Sequence, residues 1–232
     1  MRKVIVSEFV TLDGVMEDPG GAEGFKYGGW SFDFGGADQQ QFKFKELFEA
    51  DAFLLGRRTY EGFAAAWPNM PGTGEYGERM NSLPKYVVST TLSEVTWNAS
   101  LLKGDLAEEL ARLKQEAGQD ILIFGSGQLV QTLTARGLID EYRLMVFPVV
   151  LGSGKRLFSD GEEKKMLRLV ETKTFSSGVV VLTYQPATPL LGRTALDCEP
   201  YVTTALQSHN AKARRERRRS LDESSPLRHG HL

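Results

Sequence analysis

Cysteine and histidine are missing from most of this chain. The one cysteine, Cys198, and the three histidines, His209, His229 and His231, all lie after residue 197. The residues before them therefore offer no thiol, imidazole or disulfide, which excludes a cysteine nucleophile, a Ser-His triad and a zinc site built with histidine. An all-carboxylate metal site stays open. The remaining carboxylates, lysines, arginines and hydroxyls suit a domain whose chemistry is carried by a bound cofactor.

Long apolar runs are also lacking. No run approaches the roughly 20 residues that are needed to span a bilayer. The residues after Met1 lead straight into an alternating strand pattern, where a secretion signal would place an apolar core. We therefore expect a cytoplasmic protein that makes no contact with a membrane.

Residues 187–232 lack the apolar periodicity of the rest of the chain. They carry 8 Arg/Lys and 5 Asp/Glu, a net charge of +3, which leaves residues 1–186 with 20 and 25, a net charge of −5. Such a segment cannot bury enough apolar surface to offset the entropy of ordering. We predict one domain, residues 1–186, followed by a disordered polar tail. The acidic domain argues against nucleic-acid binding, and only the arginine block at 214–219 offers a surface for an anionic partner.

Strand and helix patterns alternate through the domain. The predicted strands lie at 3–12, 52–55, 86–89, 95–97, 121–124 and 141–149, and the predicted helices at 38–50, after residue 56, around 106–113 and at 128–135. Two alternating segments, 167–175 and 179–184, flank Ser-Ser-Gly and predict a hairpin. This order indicates an α/β fold with a mixed, mostly parallel sheet of about eight strands, flanked by helices and closed by an antiparallel hairpin.

Two strand-to-helix junctions carry glycine and polar residues. At such a junction the free backbone N–H groups and the positive end of the helix dipole favour an anion, and glycine lets a diphosphate approach closely. A Cβ at Gly127 would point into the space of such a diphosphate. The carboxyl edge of parallel strands is where ligands bind in open α/β sheets. The candidate residues there are Gly56, Arg57, Arg58 and Thr59, then Ser89 and Thr90, then Gly125, Ser126, Gly127, Gln128 and Leu129. The alternative is a set of ordinary glycine turns before solvated helices.

These segments resemble those of dihydrofolate reductase. Gly-Arg-Arg-Thr-Tyr-Glu at 56–61, Val-Val-Ser at 87–89 and Phe-Gly-Ser-Gly-Gln-Leu at 124–129 follow the order and spacing of its three cofactor-contacting segments. A closer resemblance is to the reductase domain of the bacterial riboflavin-biosynthesis deaminase-reductase and its stand-alone relatives. It rests on Thr-Leu-Asp-Gly at 11–14, Gly-Leu-Ile-Asp-Glu at 137–141 and Pro-Val-Val-Leu-Gly-Ser-Gly-Lys-Arg-Leu-Phe at 148–158.

The resemblance covers residues 2–185 and implies a dihydrofolate-reductase-like three-layer sandwich that uses NADPH. It places residues 56–59 near the cofactor phosphates, Ser89 and Thr90 near the 2′-phosphate, and residues 125–129 around the diphosphate. The charges of these residues agree with that assignment, because two arginines and a hydroxyl cluster favour a 2′-phosphate over a bare ribose.

The residues on the substrate side are less clearly marked. Dihydrofolate reductase uses a buried carboxylate on its first helix, and here that helix offers Asp38 and Glu46, preceded by Asp33. Asp13, at the end of the first strand, is the preferred candidate acid, and its alternative role is that of a turn-forming Asp-Gly. Trp30, Phe32 and Phe34 could stack on a planar heterocycle or simply anchor a long loop. Because the domain has no histidine, water is a further candidate for proton delivery.

The sequence therefore predicts hydride transfer from NADPH to a C=N or C=O bond of a small heterocyclic, pteridine- or pyrimidine-like, or carbonyl substrate. Two alternatives stay open. The domain is a non-catalytic nucleotide-binding module, or it is an oligomeric scaffold whose tail binds an anionic partner. We also expect a homodimer, because the strand at 141–149 carries more apolar residues than one sheet face requires.

Overall fold

The computed structural model describes residues 1–158, 160, 161 and 163–187, and these residues form one eight-stranded sheet. The strands are, in chain order, β1 (Val4–Thr11), β2 (Ala50–Gly56), β3 (Lys85–Val88), β4 (Ala99–Leu102), β5 (Asp120–Ile123), β6 (Glu141–Phe147), β7 (Leu167–Thr174) and β8 (Val180–Pro186). Their order across the sheet is β4-β3-β2-β5-β1-β6-β8-β7. The pairs among β1 to β6 are parallel, and β8 pairs antiparallel with both β6 and β7.

Helices cover both faces of the sheet. They are α1 (Ala37–Phe48), α2 (Arg57–Ala66), α3 (Gly74–Ser82), α4 (Leu106–Gln115) and α5 (Gly127–Ala135). An apolar core lies on each face of the sheet. Alternate residues of β1 enter one core or the other, because successive side chains of a strand point to opposite faces. Val4 and Val6 pack with residues of α4 and α5, whereas Ile5 packs with residues of α1, α2 and α3. The predicted three-layer α/β fold is confirmed.

Two local predictions were incomplete or wrong. The run at 95–97 is not a strand, because Trp97 and Asn98 both take positive φ angles, 55° and 54°, which interrupt an extended chain. The strand follows directly, as β4. Helix α3 was not predicted, because its Gly-Glu-Tyr-Gly start follows a Pro/Gly-rich loop and shows little helical periodicity. It becomes a helix because Met80 is buried in the core beneath it.

The apolar residues of β6 are covered by the chain itself. The strand lies between β1 and β8, and its side chains enter the core on both faces, with Tyr142 on one and Phe147 on the other. The surplus of apolar residues in this strand is therefore no sign of a subunit interface. Exposed apolar side chains lie instead on β7, where Leu169 and Val170 are about half exposed. The homodimer stays a prediction, and β7 is the surface to examine for it.

The tail prediction concerns residues outside the described part of the chain, apart from Ala187, whose backbone N–H donates to the carbonyl of Met166 at 2.9 Å. Within the described residues the longest helix, α1, has 12 residues, and no helix combines the length and apolarity of a membrane span.

Candidate functional site

The register of the sheet places the three candidate anion-binding segments side by side. Strand β2 lies between β3 and β5, and Gly56 at its end pairs with Val88 at the end of β3. Ser89 and Thr90 follow β3 directly, and Arg57 follows β2 directly as the first residue of α2, so both leave the same edge of the sheet. On the other side of β2, strand β5 ends at Ile123 and leads into the glycine turn. The carboxyl edge of three adjacent parallel strands is thus lined by the residues that the sequence singled out.

The first and third segments are locked together by hydrogen bonds. The Ser126 N–H donates to Thr59 Oγ1 at 2.8 Å, and the Gly56 N–H donates to Ser126 Oγ at 2.9 Å. The backbone that brings these groups together is unusual, because Gly125 and Ser126 both have left-handed φ angles, 60° and 58°. A Cβ on Gly125 would lie 3.0 Å from Thr59 Oγ1, so only glycine fits there without displacing its neighbour. The two turns form one rigid unit.

The helices that leave these turns begin without a side-chain cap. Neither α2 nor α5 has a side chain that accepts a hydrogen bond from its first-turn N–H groups. Helices α1 and α3 also begin without a side-chain cap from the residue before them, whereas in α4 Asp105 accepts from the N–H groups of Ala107 and Glu108 at 2.8 and 3.3 Å. Uncapped first-turn N–H groups need an outside acceptor, and an anion is the acceptor that the helix dipole favours. Two such helix ends, in neighbouring positions, suit the two phosphates of a diphosphate.

The side chains around the turns add donors. Arg57 lies 3.4 Å from Glu61 in an exposed pair, and Arg58 makes no ion pair within the described residues. Ser89 Oγ accepts hydrogen bonds from the N–H groups of Thr91 and Leu92, at 3.1 and 3.0 Å. Its oxygen also lies 3.4 Å from Thr91 Oγ1, where either hydroxyl can donate. The Ser89 hydroxyl is therefore held in place beside a second hydroxyl. These groups fit a phosphate that binds beside the ends of β2 and β3.

The surroundings of Gly127 differ from the sequence expectation. A Cβ at this position would meet the side chain of Met16, with Sδ at 2.7 Å, where the sequence suggested open space for a diphosphate. Met16 belongs to the glycine-rich segment after β1. Because a methionine side chain moves easily, a substitution at Gly127 is a weaker probe of a diphosphate than one at Gly125.

The two candidate acids contact different loops. Asp13 accepts hydrogen bonds from the Thr11 hydroxyl at 2.5 Å and from the Gly152 N–H at 2.8 Å, and these lower its pKa, the Thr11 bond most. Asp38 accepts from the N–H of Ser176, at 3.0 Å, in the β7–β8 hairpin, and that bond lowers the pKa of Asp38. Both carboxylates therefore hold loops in place and stay ionised. Their catalytic role stays a prediction.

The loop aromatics mostly anchor the loop. Trp30 is buried, its indole N–H donates to the Glu17 carbonyl at 2.8 Å, and its ring packs edge-on against Phe147 at 5.2 Å. Phe34 also packs against Phe147, at 5.9 Å. Phe32 is 73% exposed, so of the three rings it is the one left free to meet a ligand.

The sequence named Glu46 as a candidate carboxylate of the first helix, but the buried polar cluster around it, between β1 and α1, was missed. Lys43 Nζ donates to Ser7 Oγ at 2.8 Å and to Glu46 at 2.6 Å, and Arg143 of β6 binds the other oxygen of Glu46 at 3.3 Å. The same ammonium lies 4.0 Å from the centre of the Phe124 ring, at the end of β5. The Ser-Glu pair in the apolar β1 strand was the available signal. No sequence pattern indicated that Lys43 and Glu46 are buried together, because a lysine and a glutamate three residues apart on a helix usually form a solvated pair.

Glu8 is the second buried carboxylate of this region. It is 4% exposed, and its Oε1 has no hydrogen-bond partner among the described residues. Burial raises the pKa of Glu8 well above its usual range, a trend that Lys43 and the backbone N–H of Gly125 only partly oppose. No group of three or more metal-ligating side chains occurs within the described part of the chain.

Comparison with known proteins agrees with this geometry. Residues 2–181 match the family model described as the RibD C-terminal domain. The chain belongs to this family. The uncharacterized protein YyaP of Bacillus subtilis (strain 168) is 35% identical over 189 residues, which are 79% of this chain and 94% of YyaP.

Solved structures of the same fold include a putative riboflavin biosynthesis protein from Shewanella sp. PV-4. It is 25% identical, with a TM-score of 0.65 over 80% of this chain and 99% of that one. Dihydrofolate reductase from Enterococcus faecalis, solved with NADP(H) and RAB-propyl, has a TM-score of 0.53 at 14% identity over 80% of this chain and 97% of that one. This second likeness shows the fold alone.

The RibD C-terminal domain match contains every candidate residue named above and ends before the tail. Membership of this family indicates reductase activity of the kind found in riboflavin biosynthesis. The resemblance that the sequence motifs suggested is therefore confirmed at the level of family and fold.

Proposed function

We propose that the protein is an NADPH-dependent reductase that delivers hydride to a C=N or C=O bond of a small heterocyclic or carbonyl substrate. The observation that carries this proposal is the pair of interlocked turns, in which Ser126 and Thr59 join two uncapped helix ends at one sheet edge. A preorganised set of free N–H groups is what a dinucleotide diphosphate requires. The RibD C-terminal domain family supplies independent support.

The residues present fit such a cofactor. The first-turn N–H groups of α2 and α5 would hold the diphosphate, while Arg57, Arg58 and Ser89 would hold the 2′-phosphate beside the ends of β2 and β3. Bound NADPH supplies the hydride. The protein positions the phosphates through groups whose geometry is set before binding, so little ordering entropy is lost when the ligand arrives.

Proton delivery on the substrate side is assigned to water that the carboxylates orient. Asp13 and Asp38 have lowered pKa values, because each accepts hydrogen bonds from neighbouring hydroxyl or N–H groups. An acid with a lowered pKa is a poor proton donor at neutral pH, whereas its ionised form orients a water molecule well. Both residues would therefore act on the proton through water.

The test is a turnover screen with the full chain. NADPH absorbance is followed in the presence of a panel of pteridines, pyrimidines and small carbonyl compounds, and the active compounds are repeated with Arg58→Ala. We expect NADPH oxidation with at least one compound and a higher KM for NADPH in the variant. If NADPH binds but no compound in a broad panel is reduced, the protein is a nucleotide-binding module and the proposal fails.

A further inference from the structure

Glu8 lies directly below the glycine turn. On β1, Val6 pairs with Ile123, the last residue of β5. The pairing of the two strands therefore ends just before Glu8. The chain that leaves β5 passes Glu8 as the turn, and the backbone N–H of Gly125 interacts with its carboxyl group. A carboxyl group therefore occupies the floor of the turn that would hold a diphosphate.

The cations near Glu8 are already engaged. Lys43 of α1 is the cation that acts on Glu8, but its ammonium donates to Ser7 and Glu46, at 2.8 and 2.6 Å. Glu46 is a second negative charge in range of Glu8, and Arg143 of β6 is bound to Glu46. From the β5 side Glu8 meets only the uncharged Gly125 N–H. Together with the unpartnered Oε1, these contacts leave an ionised Glu8 poorly compensated.

An anion bound to the turn would further disfavour the ionised form of Glu8. A diphosphate and an ionised carboxylate on opposite sides of one glycine turn repel each other through a region of low dielectric constant, whereas an uncharged carboxylic acid does not. A protein that binds a diphosphate here can do so without repulsion only if Glu8 holds a proton.

We propose that Glu8 belongs to the cofactor site as an uncharged carboxylic acid, and that diphosphate binding to the 125–127 turn is thermodynamically linked to that proton. The proposal rests on the proposed function, because it takes the ligand to be a dinucleotide. Linkage is reciprocal, so the bound cofactor strengthens proton binding to Glu8 as much as the proton strengthens cofactor binding. Burial, which raises the pKa of this carboxyl, brings the linkage closer to neutral pH.

The sign of the effect follows. Below the pKa of Glu8 in the free protein, the proton is already present and cofactor affinity does not depend on it. As pH rises above that value, Glu8 must take up a proton from solvent each time a cofactor binds. The Kd for NADPH therefore rises, by up to about tenfold per pH unit.

The experiment is calorimetric titration of the full chain with NADPH in pairs of buffers that differ in ionisation enthalpy. Because a phosphate monoester ionises near pH 6, the series runs from about pH 7 to about pH 9. Wild type is compared with Glu8→Gln, which keeps the shape without the titrating group, and with Glu109→Gln, a partly exposed carboxylate of α4 paired with Arg112. Any proton exchange by the ligand itself is common to all three proteins.

We expect wild type and Glu109→Gln to take up protons on binding and to lose affinity as pH rises. Glu8→Gln should show neither effect, so its affinity should exceed that of wild type by a factor that grows with pH, by up to about tenfold per pH unit. Binding by wild type with no proton uptake would overturn this inference alone, as would equal uptake by Glu8→Gln. No NADPH binding by wild type would contradict the proposed function as well. Absence of uptake by wild type overturns the inference whether or not the variant folds, and the comparison of Glu8→Gln with Glu109→Gln decides whether an observed uptake belongs to Glu8.

Discussion

The amino and carboxyl ends of the parallel strands differ in how their charged and polar groups are paired. At the amino end Arg2 is buried and pairs with Asp51 and Glu116, and the Val4 N–H donates to Asp140 at 2.8 Å. At the carboxyl end α2 and α5 start without side-chain caps, and Arg58 makes no ion pair within the described residues. The charged groups named at the amino end are paired within the protein, whereas the helix starts and Arg58 at the carboxyl end are the groups that we propose for the ligand. Mutations at the two ends should therefore have separable effects.

The largest effect is expected from Asp51→Ala. This change leaves Arg2 buried with only the Gln119 carbonyl, at 2.7 Å, and Glu116, at 3.6 Å, as partners. Loss of one partner of a mostly buried pair should lower the free energy of unfolding by about 3 kcal/mol. Urea denaturation measures this loss, and calorimetry should show unchanged NADPH affinity. A weaker cofactor affinity with unchanged stability would contradict the separation of the two ends.

Arg58→Ala should have the reverse pattern. Removing a charge-assisted contact to phosphate should weaken NADPH binding by about 2 kcal/mol, roughly thirtyfold, with little change in stability. The matched control is Arg112→Ala, an exposed arginine of α4 that pairs with Glu109 and Glu116. Equal NADPH affinities in the two variants would remove Arg58 from the site.

Gly125→Ala tests whether the turn must keep its shape. The left-handed φ angle of 60° and the contact with Thr59 both oppose a Cβ, so we expect about 1.4 kcal/mol, or tenfold, weaker NADPH binding. Gly127→Ala is the matched control, because only the flexible Met16 side chain must move there. Similar losses in both variants would show that crowding in general, and not the geometry of the turn, controls binding.

Lys85 lies at the amino end but, unlike Arg2, it has no ion pair among the described residues. Its substitution gives the smallest of the expected changes. Lys85 is 1% exposed, its ammonium donates to the Asn81 carbonyl at 2.8 Å, and burial lowers its pKa to about 8. The charged form is thus disfavoured in the folded state, and this cost is relieved as pH rises from about 8 towards the unfolded value near 10.4.

The unfolding free energy of wild type should therefore increase relative to Lys85→Met, by about 1 kcal/mol over the first pH unit of this range, from about pH 8 to about pH 9. Urea denaturation of both proteins across the range measures the difference. A constant difference between the two would mean that Lys85 keeps an ordinary pKa.

The sequence predicted the sheet and its edge better than it predicted the surroundings of the substrate. Strand β5 and the turn after it were recognisable because four apolar residues precede a glycine, a local pattern. The homodimer prediction from β6 relied on an apolar surplus that burial on both faces explains. Neither the periodicity of a strand nor that of a helix reveals which distant element will cover it.

The buried carboxylates show the same limit. Glu8 was visible in the sequence as a charged residue within an apolar strand, yet its meaning depends on Gly125, more than 100 residues away. Lys43 and Glu46 have the spacing of a surface ion pair, and only the packing of α1 against β1 buries them. Asp13 and Asp38 were chosen for their positions, and the hydrogen bonds that lower the pKa of each come from loops that no local pattern links to them.

The central claim, that the carboxyl edge of the sheet is built for NADPH, is tested most directly by titrating the full chain with NADPH and with NADH in a calorimeter. The two ligands differ only in the 2′-phosphate, for which the structure offers Arg57, Arg58, Ser89 and Thr90. We predict at least tenfold tighter binding of NADPH, about 1.4 kcal/mol. Equal affinities for the two ligands, or binding of neither, would contradict the account.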